Sequence, residues 1–341
     1  MTQNLDKLPE GSFERVTIDK SQAERISKPS LSFWQDAWLR IRKNKAAIIS
    51  MVLLVFIILM AFVGPIMSPH DGEVQTITHA NLPPKVPGFE NLGILDGHGL
   101  LAGEDVDLYE LKNVDPEVYY WIGTDGLGRD MFSRVWSGTQ ISLFIAFMAA
   151  LIDMVIGVAY GGISAYYGGR VDDMMQRVVE ILIGIPNLIV VILMIMVMEP
   201  GVTAIILAIS LTGWIGMSRI VRGQVFRFKN QEFVLASRTL GASNNRIILK
   251  HLLPNILGII IINTMFTIPG AIFFEAFLSF IGLGLQAPAA SLGTLINDGI
   301  QLLEFQPHIL FFPALVLSVL MIAFNLLGDG LRDAFDPKMK D

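Results

Sequence analysis

Two carboxylates inside long apolar stretches are the residues of this sequence best placed to do chemistry. Asp153 falls near the middle of one stretch, and Glu275 lies toward the end of another. Within lipid an ionisable group is costly unless it faces a cavity or a partner, so such residues mark transport pathways, proton relays or locks between helices. For Asp153 a pathway role and a lock between helices stay equally open, whereas for Glu275 we favour a structural role.

Prolines and asparagines interrupt other apolar stretches. Pro186 and Asn187 are adjacent in one stretch, and Asn263 and Pro269 lie in another. Such residues break helical hydrogen bonding or present polar groups, and in lipid they persist only where protein or water satisfies the backbone. They are candidates for hinges in a gate, with ordinary helix kinks as the alternative.

The motifs of a self-contained enzyme are absent from the sequence. No G-x-x-x-x-G-K-[ST] loop is present to hold nucleotide phosphates, and residues 123–128 lack the G-x-G-x-x-G spacing. The five histidines are scattered without metal-ligand spacing, and there is no cysteine. We therefore predict no catalytic residue, no metal site and no cofactor bound by this chain. We interpret residues 123–130 as a tight structural turn, with an ion ligand formed by Asp125 and Asp130 as the alternative.

Composition indicates that the elements around these residues lie in a membrane. Of the 341 residues, 52% are hydrophobic and 16% are charged, which is far more apolar than a typical soluble domain. A bilayer core needs about 20 apolar residues in a helix. Six stretches approach this length and predict an all-α integral membrane protein with six transmembrane helices, at residues 46–67, 141–165, 181–198, 202–218, 256–285 and 309–328.

Charge distribution predicts the orientation of these helices. Basic residues cluster before the first span, between the second and third, and throughout residues 219–250, whereas acidic residues dominate residues 68–138. Because basic residues near span ends are retained in the cytoplasm, we predict that both termini are cytoplasmic. Residues 1–45 would form a tail, residues 68–138 an extracytoplasmic loop or small subdomain, and residues 139–341 a core with five spans.

A short amphipathic segment precedes the first span. Leu31, Trp34, Trp38 and Ile41 recur at helical spacing and are followed by basic residues. This pattern is typical of a helix that lies in the headgroup region of a membrane. We predict an interfacial helix at about residues 31–45, with a plain cytoplasmic tail as the alternative.

The cytoplasmic loop at residues 219–254 is too long for a turn and has its own helical pattern. Asn230 is a candidate helix cap, Phe233, Ala236 and Leu240 share one face, and Gly241 offers a left-handed stop. These features predict one short helix ending near residue 240.

A second short helix is predicted directly after the first. Ser243 is its candidate cap, Ile247, Ile248 and Leu252 are spaced for one face, and Pro254 lies beyond its end. Two short helices set at an angle predict a compact knob that projects into the cytoplasm.

Four separated blocks of this sequence resemble a known family. Residues 232–243, with sequence EFVLASRTLGAS, and the LPN that begins at residue 253 resemble the EAA loop of ABC importer permeases. The other blocks are GTDGLGRD at 123–130, LSFIGLG at 278–284 and NLLGDGLRDAFDP at 325–337. In their order along the chain, the four blocks resemble the C-type permease subunit of the oligopeptide, dipeptide and nickel transporter family. The resemblance covers the chain from about residue 123 onward.

The resemblance implies a type I ABC importer permease fold in a bacterial plasma membrane. The implied partners are a second similar permease, two cytoplasmic ATPases that carry ATP and Mg, an extracytoplasmic peptide-binding protein and the lipid bilayer, with no nucleic acid. In that family the EAA loop docks a coupling helix into a groove of the ATPase. The matching residues here are Glu232, Phe233, Ala236, Ser237, Leu240, Gly241, Ala242 and Ser243.

We therefore expect a permease subunit without an ATPase site of its own that moves oligopeptides by alternating access. Dipeptides or nickel are the alternative cargoes within the family. A hypothesis from another class is a proton-driven secondary transporter with Asp153 as the relay, and a further one is a membrane scaffold that transports nothing. Residues 71–120 would either dock the binding protein or form a solvated insertion.

Overall fold

The computed structural model describes residues 32–89, 95–101 and 104–335, with the backbone alone for Phe33, Leu100 and Leu101. Leu31, at the start of the predicted interfacial helix, therefore lies outside the described residues, as does the rest of the predicted tail before it. The last six residues also lie outside them, and the first two of these six end the fourth family-like block.

Two helices with capped N-termini open the described chain. Helix α1, Phe33–Ile41, begins at a capping box in which Ser32 and Gln35 exchange hydrogen bonds between side chain and backbone. Helix α2, Lys45–Met67, follows Asn44, whose side chain accepts the N–H three residues further on. Only a tight turn separates α1 from the first long apolar helix.

A small folded unit, the hairpin subdomain, fills the described part of residues 68–130. Its elements are a 3₁₀ turn at Ile77–His79, strands β1 at His98–Leu101 and β2 at Glu104–Asp107, and the one-turn helix α3 at Leu108–Leu111. The two strands pair antiparallel with His98 opposite Asp107. A separate core of buried side chains holds the unit together, formed by Leu82, Tyr109, Val114 and Tyr120.

Most of the remaining described chain is helical. The elements in chain order are α4 Met131–Tyr167, α5 Gly169–Ile183, α6 Asn187–Met198, α7 Val202–Phe228, α8 Glu232–Thr239, α9 Asn244–Phe280, α10 Leu292–Gln301 and α11 Pro307–Phe335. Within the described ranges, five helices are long and apolar enough to cross a membrane, namely α2, α4, α7, α9 and α11. The predicted all-α membrane architecture is confirmed, with a sixth span if α5 and α6 together count as one.

The third predicted span is not a straight helix. Helices α5 and α6 meet at an angle of 81° across residues 184–186. Pro186 is the N-cap of α6, and a proline disfavours the helical conformation of the residue before it. The prediction of one helix over residues 181–198 was therefore wrong, because apolar composition alone does not register this break.

Helix α4 begins ten residues before its predicted start. Asp130 caps it by accepting hydrogen bonds from the N–H groups of Phe132 and Ser133. The first turns of α4 contain Ser133 and Arg134, which are buried and lie close to Gly72 of the hairpin subdomain. A search for apolar stretches excludes such polar turns, so the prediction began the span too late.

The second predicted knob helix and the fifth span form one helix, α9. Residues Ile247–Leu252 are wound as a π-helix, and the Leu253 N–H donates to the Ile248 carbonyl five residues earlier. The wider turn accommodates Pro254, which lacks an N–H and whose ring would crowd an ordinary α-helical turn. The predicted helix end before Pro254 was wrong for this reason. At its other end α9 stops at Phe280, short of the predicted residue 285.

Helices α4 and α7 pack closely along two glycines of α4. A Cβ added to Gly157 would lie 2.6 Å from the Met217 Cβ, and one added to Gly161 would lie 2.2 Å from the Ser218 carbonyl oxygen. These two glycines, four residues apart, therefore let the two backbones approach each other, as small residues do at helix interfaces in lipid.

Candidate functional site

The knob, residues 229–243, is built from α8 and the turns on either side of it. Helix α8 begins at Glu232 with Gln231 as its N-cap. Asn230 is not the cap, because it lies in a tight turn in which the Gln231 N–H donates to a carbonyl three residues back. At the other end Gly241 has a φ of +79°, so the predicted left-handed stop is confirmed.

A single apolar residue of α8 anchors the knob to the bundle. Val234 is fully buried, and it packs in one cluster with Val225 of α7 and with Ile247 and Leu252 of α9. The Ala242 N–H donates to a carbonyl of α8 and closes the turn onto this cluster. The face predicted from Ile247 and Leu252 is therefore the floor of the knob.

The predicted face of Phe233, Ala236 and Leu240 points away from the bundle. Leu240 is 87% exposed, and Phe233 and Leu235 are 40% and 46% exposed. Since Val234 alone occupies the anchoring position, the other apolar side chains of α8 remain uncovered. The knob thus presents an apolar tip at one end of the molecule.

The polar residues of the knob have mainly local partners. The Ser237 hydroxyl donates to the Phe233 carbonyl within α8. Ser243 is the N-cap of α9 but makes no capping hydrogen bond through its side chain. The Arg238 guanidinium lies 5.8 Å from the centre of the Tyr166 ring at the end of α4. Glu232 is exposed at the start of α8.

Charged contacts tie the knob end of the bundle together. Arg222 of α7 donates two hydrogen bonds to Asp172 of α5, of 2.7 Å and 2.6 Å. Asp172 also accepts from the hydroxyl of Ser164 on α4. The Lys229 ammonium donates to the Ala165 carbonyl over 2.7 Å. These contacts were not predicted from the sequence, where the only signal is that opposite charges lie near the ends of apolar stretches.

Asp153 lies at the α4–α7 interface. The residue is only 3% exposed, and its carboxyl faces Gly213, where an added Cβ would lie 2.2 Å from Oδ2. Its buried Oδ1 has no hydrogen-bond partner among the described residues. The packing therefore provides space for this carboxyl without a hydrogen bond to it.

Glu275 lies at the opposite end of the bundle among three serines. Its carboxylate accepts hydrogen bonds from the hydroxyls of Ser142 on α4 at 2.9 Å, Ser279 on α9 at 2.9 Å and Ser291 at 2.6 Å. Ser142 and Ser291 in turn accept N–H groups from the first turn of α10. The carboxylate thus joins α4, α9 and the N-terminus of α10, where the helix dipole favours negative charge.

The other candidate pathway residues occupy different places. Asn187 accepts a hydrogen bond from the Thr212 hydroxyl, which ties the bend after Pro186 to α7. Asn263 donates to the Ile259 carbonyl of its own helix. Pro186 and Asn187 thus lie at the bend, and Asp153 packs against Gly213, the residue that follows Thr212, whereas Asn263 and Glu275 lie on α9.

Residues 123–130 form a tight turn at the end of the hairpin subdomain, directly before α4. Asp125 accepts hydrogen bonds from the Leu127 N–H and from the Arg129 N–H and Nε, the last at 2.7 Å. Gly128, with a φ of +73°, approaches the backbone of the 3₁₀ turn too closely for a side chain. Burial raises the pKa of Asp130 against the opposing effect of its hydrogen bonds. Within the described ranges no cluster of carboxylates and histidines has the geometry of a metal site.

Two family models match most of the chain between them. The model described as binding-protein-dependent transport system inner membrane component matches residues 154–341. The model described as the N-terminal TM domain of oligopeptide transport permease C matches residues 32–84. The second match lies in a part of the sequence where no family-like block was recognised.

Relatives align with the chain along nearly its whole length. It is 48% identical to the dipeptide transport system permease protein DppC of Bacillus subtilis (strain 168), over 98% of this chain and 95% of the relative. It is 44% identical to the oligopeptide transport system permease protein OppC of the same organism, over 98% and 100%. Identity to OppC of Escherichia coli (strain K12) is 37%, over 93% and 95%.

A solved structure shares the fold at low sequence identity. A chain of the MetNI methionine ABC transporter, in an inward facing conformation, matches with a TM-score of 0.50 and 21% identity. The match covers 60% of this chain and 98% of that chain. At this level of identity the likeness concerns the fold alone.

Proposed function

Since this chain belongs to the family of binding-protein-dependent transport system inner membrane components, we propose that it is a permease subunit that imports peptides. The chain has the type I ABC importer permease fold and is a multi-pass protein of the bacterial inner membrane. It is a transport component and not an ATPase.

Peptides are the proposed cargo because the relatives along the whole chain are named for them. One relative is named for dipeptides and another for oligopeptides, at 48% and 44% identity. Both names fit the chain, and oligopeptides are our first choice with dipeptides as the alternative. The hairpin subdomain would face the cell exterior and receive the peptide-binding protein.

The partners follow from the family and from what the sequence lacks. Membership implies assembly with other ABC transporter components. Since the sequence has no phosphate-binding loop, ATP and Mg would be held by two cytoplasmic ATPase subunits. A second, similar permease would complete the pathway. The basic residues around the knob support, by the positive-inside tendency, a cytoplasmic position for the knob and for both termini.

The uncovered apolar tip of the knob is the observation that carries the coupling mechanism. Leu240 is 87% exposed at the tip while Val234, six residues earlier, is fully buried at the base. A groove of the ATPase that covers the tip could therefore push on the knob without detaching it. Large apolar side chains that are exposed together mark such interaction sites.

Motion of the knob would reach the spans by two routes. Helix α9 runs without interruption from Asn244 to Phe280, so a displacement at its start tilts the whole span. Helix α7 leads directly into the knob and is tied to α5 through Arg222 and Asp172. Closure of the ATPases would in this way rotate the spans and alternate access to the pathway.

Peptide uptake by the assembled complex tests this function. Proteoliposomes that contain the permease pair and the ATPases should transport labelled peptide across the membrane. The binding protein is supplied on the extracytoplasmic side of the complex, and ATP is supplied on the side of the ATPases. A proton gradient without ATP should give no uptake. Uptake driven by the gradient alone would overturn the proposal.

A proton-driven transporter remains the second candidate because Asp153 is buried without a hydrogen-bond partner among the described residues. Asp153→Asn distinguishes the two functions. An ATP-driven importer should keep most of its uptake, because the amide fills the same space. A proton-driven transporter should lose uptake entirely, since the amide cannot carry the proton.

A further inference from the structure

Helix α1 has one buried face and one largely exposed face. Ala37 and Ile41 are buried, and Ile41 packs with Ala47 and with Ala334 near the end of α11. Trp34 and Trp38 are 57% and 45% exposed. The Trp34 ring also meets the ring of Phe335 on α11 edge-on, with 6.3 Å between the ring centres. The helix is therefore held against the bundle, while a large part of each indole ring stays exposed.

The largely exposed face contains a row of aromatic and basic side chains. Trp34, Trp38 and Arg42 follow each other at intervals of four residues, and the Arg42 guanidinium lies 5.7 Å from the centre of the Trp38 ring. Lys43 and Lys45 are exposed at the same end of the helix. Indole rings are enriched at the membrane interface, where one part of the ring is apolar and another wet.

The acidic residue of α1 does not neutralise this row. Asp36 forms an ion pair of 3.1 Å with Arg40, which is one turn away on another side of the helix. The charges of Arg42, Lys43 and Lys45 have no ion pair within the described residues. The row is thus cationic at one end and aromatic along its length.

The position of α1 in the chain brings this row to the membrane surface. Helix α1 ends at Ile41 and the apolar span α2 begins at Lys45. Four residues reach at most about 14 Å when fully extended. The row must therefore lie close to the level at which the hydrocarbon core gives way to the headgroups.

We propose that the row of Trp34, Trp38 and Arg42, together with Lys43 and Lys45, binds the headgroups of anionic phospholipids. The phosphate and its negative charge would lie against Arg42 and the lysines, and the indoles would enter the region of the ester groups. Free phosphate could satisfy the charges but would leave both indoles exposed to water, so the row fits a lipid better. This proposal does not depend on the cargo or on the energy source.

A single fluorophore can report which lipid touches the row. The chain has no cysteine, so Leu39→Cys creates one labelling site on the exposed side of α1. The full chain is placed in nanodiscs that contain, at equal mole fraction, phosphatidylglycerol or phosphatidylcholine with a nitroxide on the acyl chain. Phosphatidylglycerol should quench the fluorophore at least about threefold more strongly, because each basic residue near an anionic lipid favours the contact.

Two variants connect the preference to the row. Arg42→Gln combined with Lys43→Gln and Lys45→Gln should make the two lipids quench equally. Asp36→Asn combined with Arg40→Gln removes the paired charges of the same helix and should leave the preference intact. Gel filtration in detergent checks that all variants remain folded.

Several outcomes would overturn the proposal. Equal quenching by both lipids in the unaltered row, or a preference that survives the triple substitution, would contradict it. Absence of quenching by either lipid would show that protein covers the row. Loss of the preference on adding inorganic phosphate, but not chloride at equal ionic strength, would assign the site to free phosphate.

Discussion

At the scale of single residues, Gly213 decides whether Asp153 can stay where it is. A Cβ at Gly213 would lie 2.2 Å from Asp153 Oδ2, whereas one at Gly216, a turn further along α7, would meet nothing within 4 Å. Both glycines belong to the same helix, so the gain in helix propensity on replacing glycine by alanine is the same at both positions. The pair separates the effect of the carboxyl from that of glycine itself.

We expect Gly213→Ala to destabilise the protein by about 1–3 kcal/mol, because the methyl group forces the packed carboxyl out of place. Gly216→Ala should be neutral or stabilising by up to about 1 kcal/mol, since alanine favours a helix. The thermal unfolding midpoint in detergent measures both effects. Asp153→Ala should restore the stability of the Gly213→Ala protein, and equal midpoints for the two glycine variants would contradict this account.

Glu275 provides a second prediction at this scale. Glu275→Ala deprives three serine hydroxyls of their acceptor, at a cost of about 1–3 kcal/mol for each group left unpaired. Glu275→Gln keeps one oxygen acceptor and should lower the unfolding midpoint by less. An unchanged midpoint for Glu275→Ala would show that the three hydroxyls find other partners.

Individual contacts of this kind are only partly predictable from the sequence. A carboxylate in an apolar stretch signals an unusual environment, and both Asp153 and Glu275 were identified in that way. The partners of Glu275 were not, because Ser142 and Ser291 lie 133 and 16 residues away from it. Serines are common in membrane helices, so nothing in the sequence distinguishes these two.

At the scale of elements, the proposed coupling requires the tie between α5 and α7 to make the broken span follow the knob. Arg222 and Asp172 form a bidentate contact in which the Arg222 side chain is 33% exposed. Hydrogen bonds to charged groups contribute about 1.5–3 kcal/mol, and water access reduces this value. The contact is thus strong enough to hold the two helices in a fixed orientation.

Reversing the charges tests this tie. Arg222→Asp alone should separate α5 from α7 and lower peptide uptake more than ATP hydrolysis, because the broken span would no longer follow the knob. Combining it with Asp172→Arg should recover part of the uptake. Identical uptake in the single and the double variant would contradict a role for the pair, and equal amounts of purified complex serve as the control.

The elements themselves were more predictable than their ends. Apolar length identified α2, α4, α7, α9 and α11, since a membrane helix needs one long uncharged stretch. It missed the break at Pro186 and the continuation of α9 through Pro254. In one case a proline ends a helix and in the other a π-helical turn accommodates it, and the local sequence does not distinguish these outcomes.

At the scale of the whole molecule, the chain combines a membrane bundle with an apolar tip at one end and a folded subdomain toward the other. Neither the sequence nor the described structure contains a nucleotide-binding loop or a metal cluster. The motifs around residues 232–243 indicated the knob before the structure did. Its exposed tip was not predictable, because only the packing of Val234 shows which face of α8 remains free.

The central claim is that the knob transmits force from ATP hydrolysis to the peptide pathway, and Gly241 allows the most direct test. Its φ of +79° strains any residue with a Cβ, and asparagine tolerates this conformation best. Gly241→Trp therefore places both strain and bulk beside the tip, while Gly241→Asn is the matched control.

The decisive measurement is the number of ATP molecules hydrolysed per labelled peptide imported by proteoliposomes that contain each assembled complex. We predict that Gly241→Trp still inserts into the membrane but hydrolyses ATP with little or no uptake, whereas Gly241→Asn keeps a ratio close to that of the unaltered protein. Full uptake at an unchanged ratio in the Gly241→Trp complex would contradict the claim.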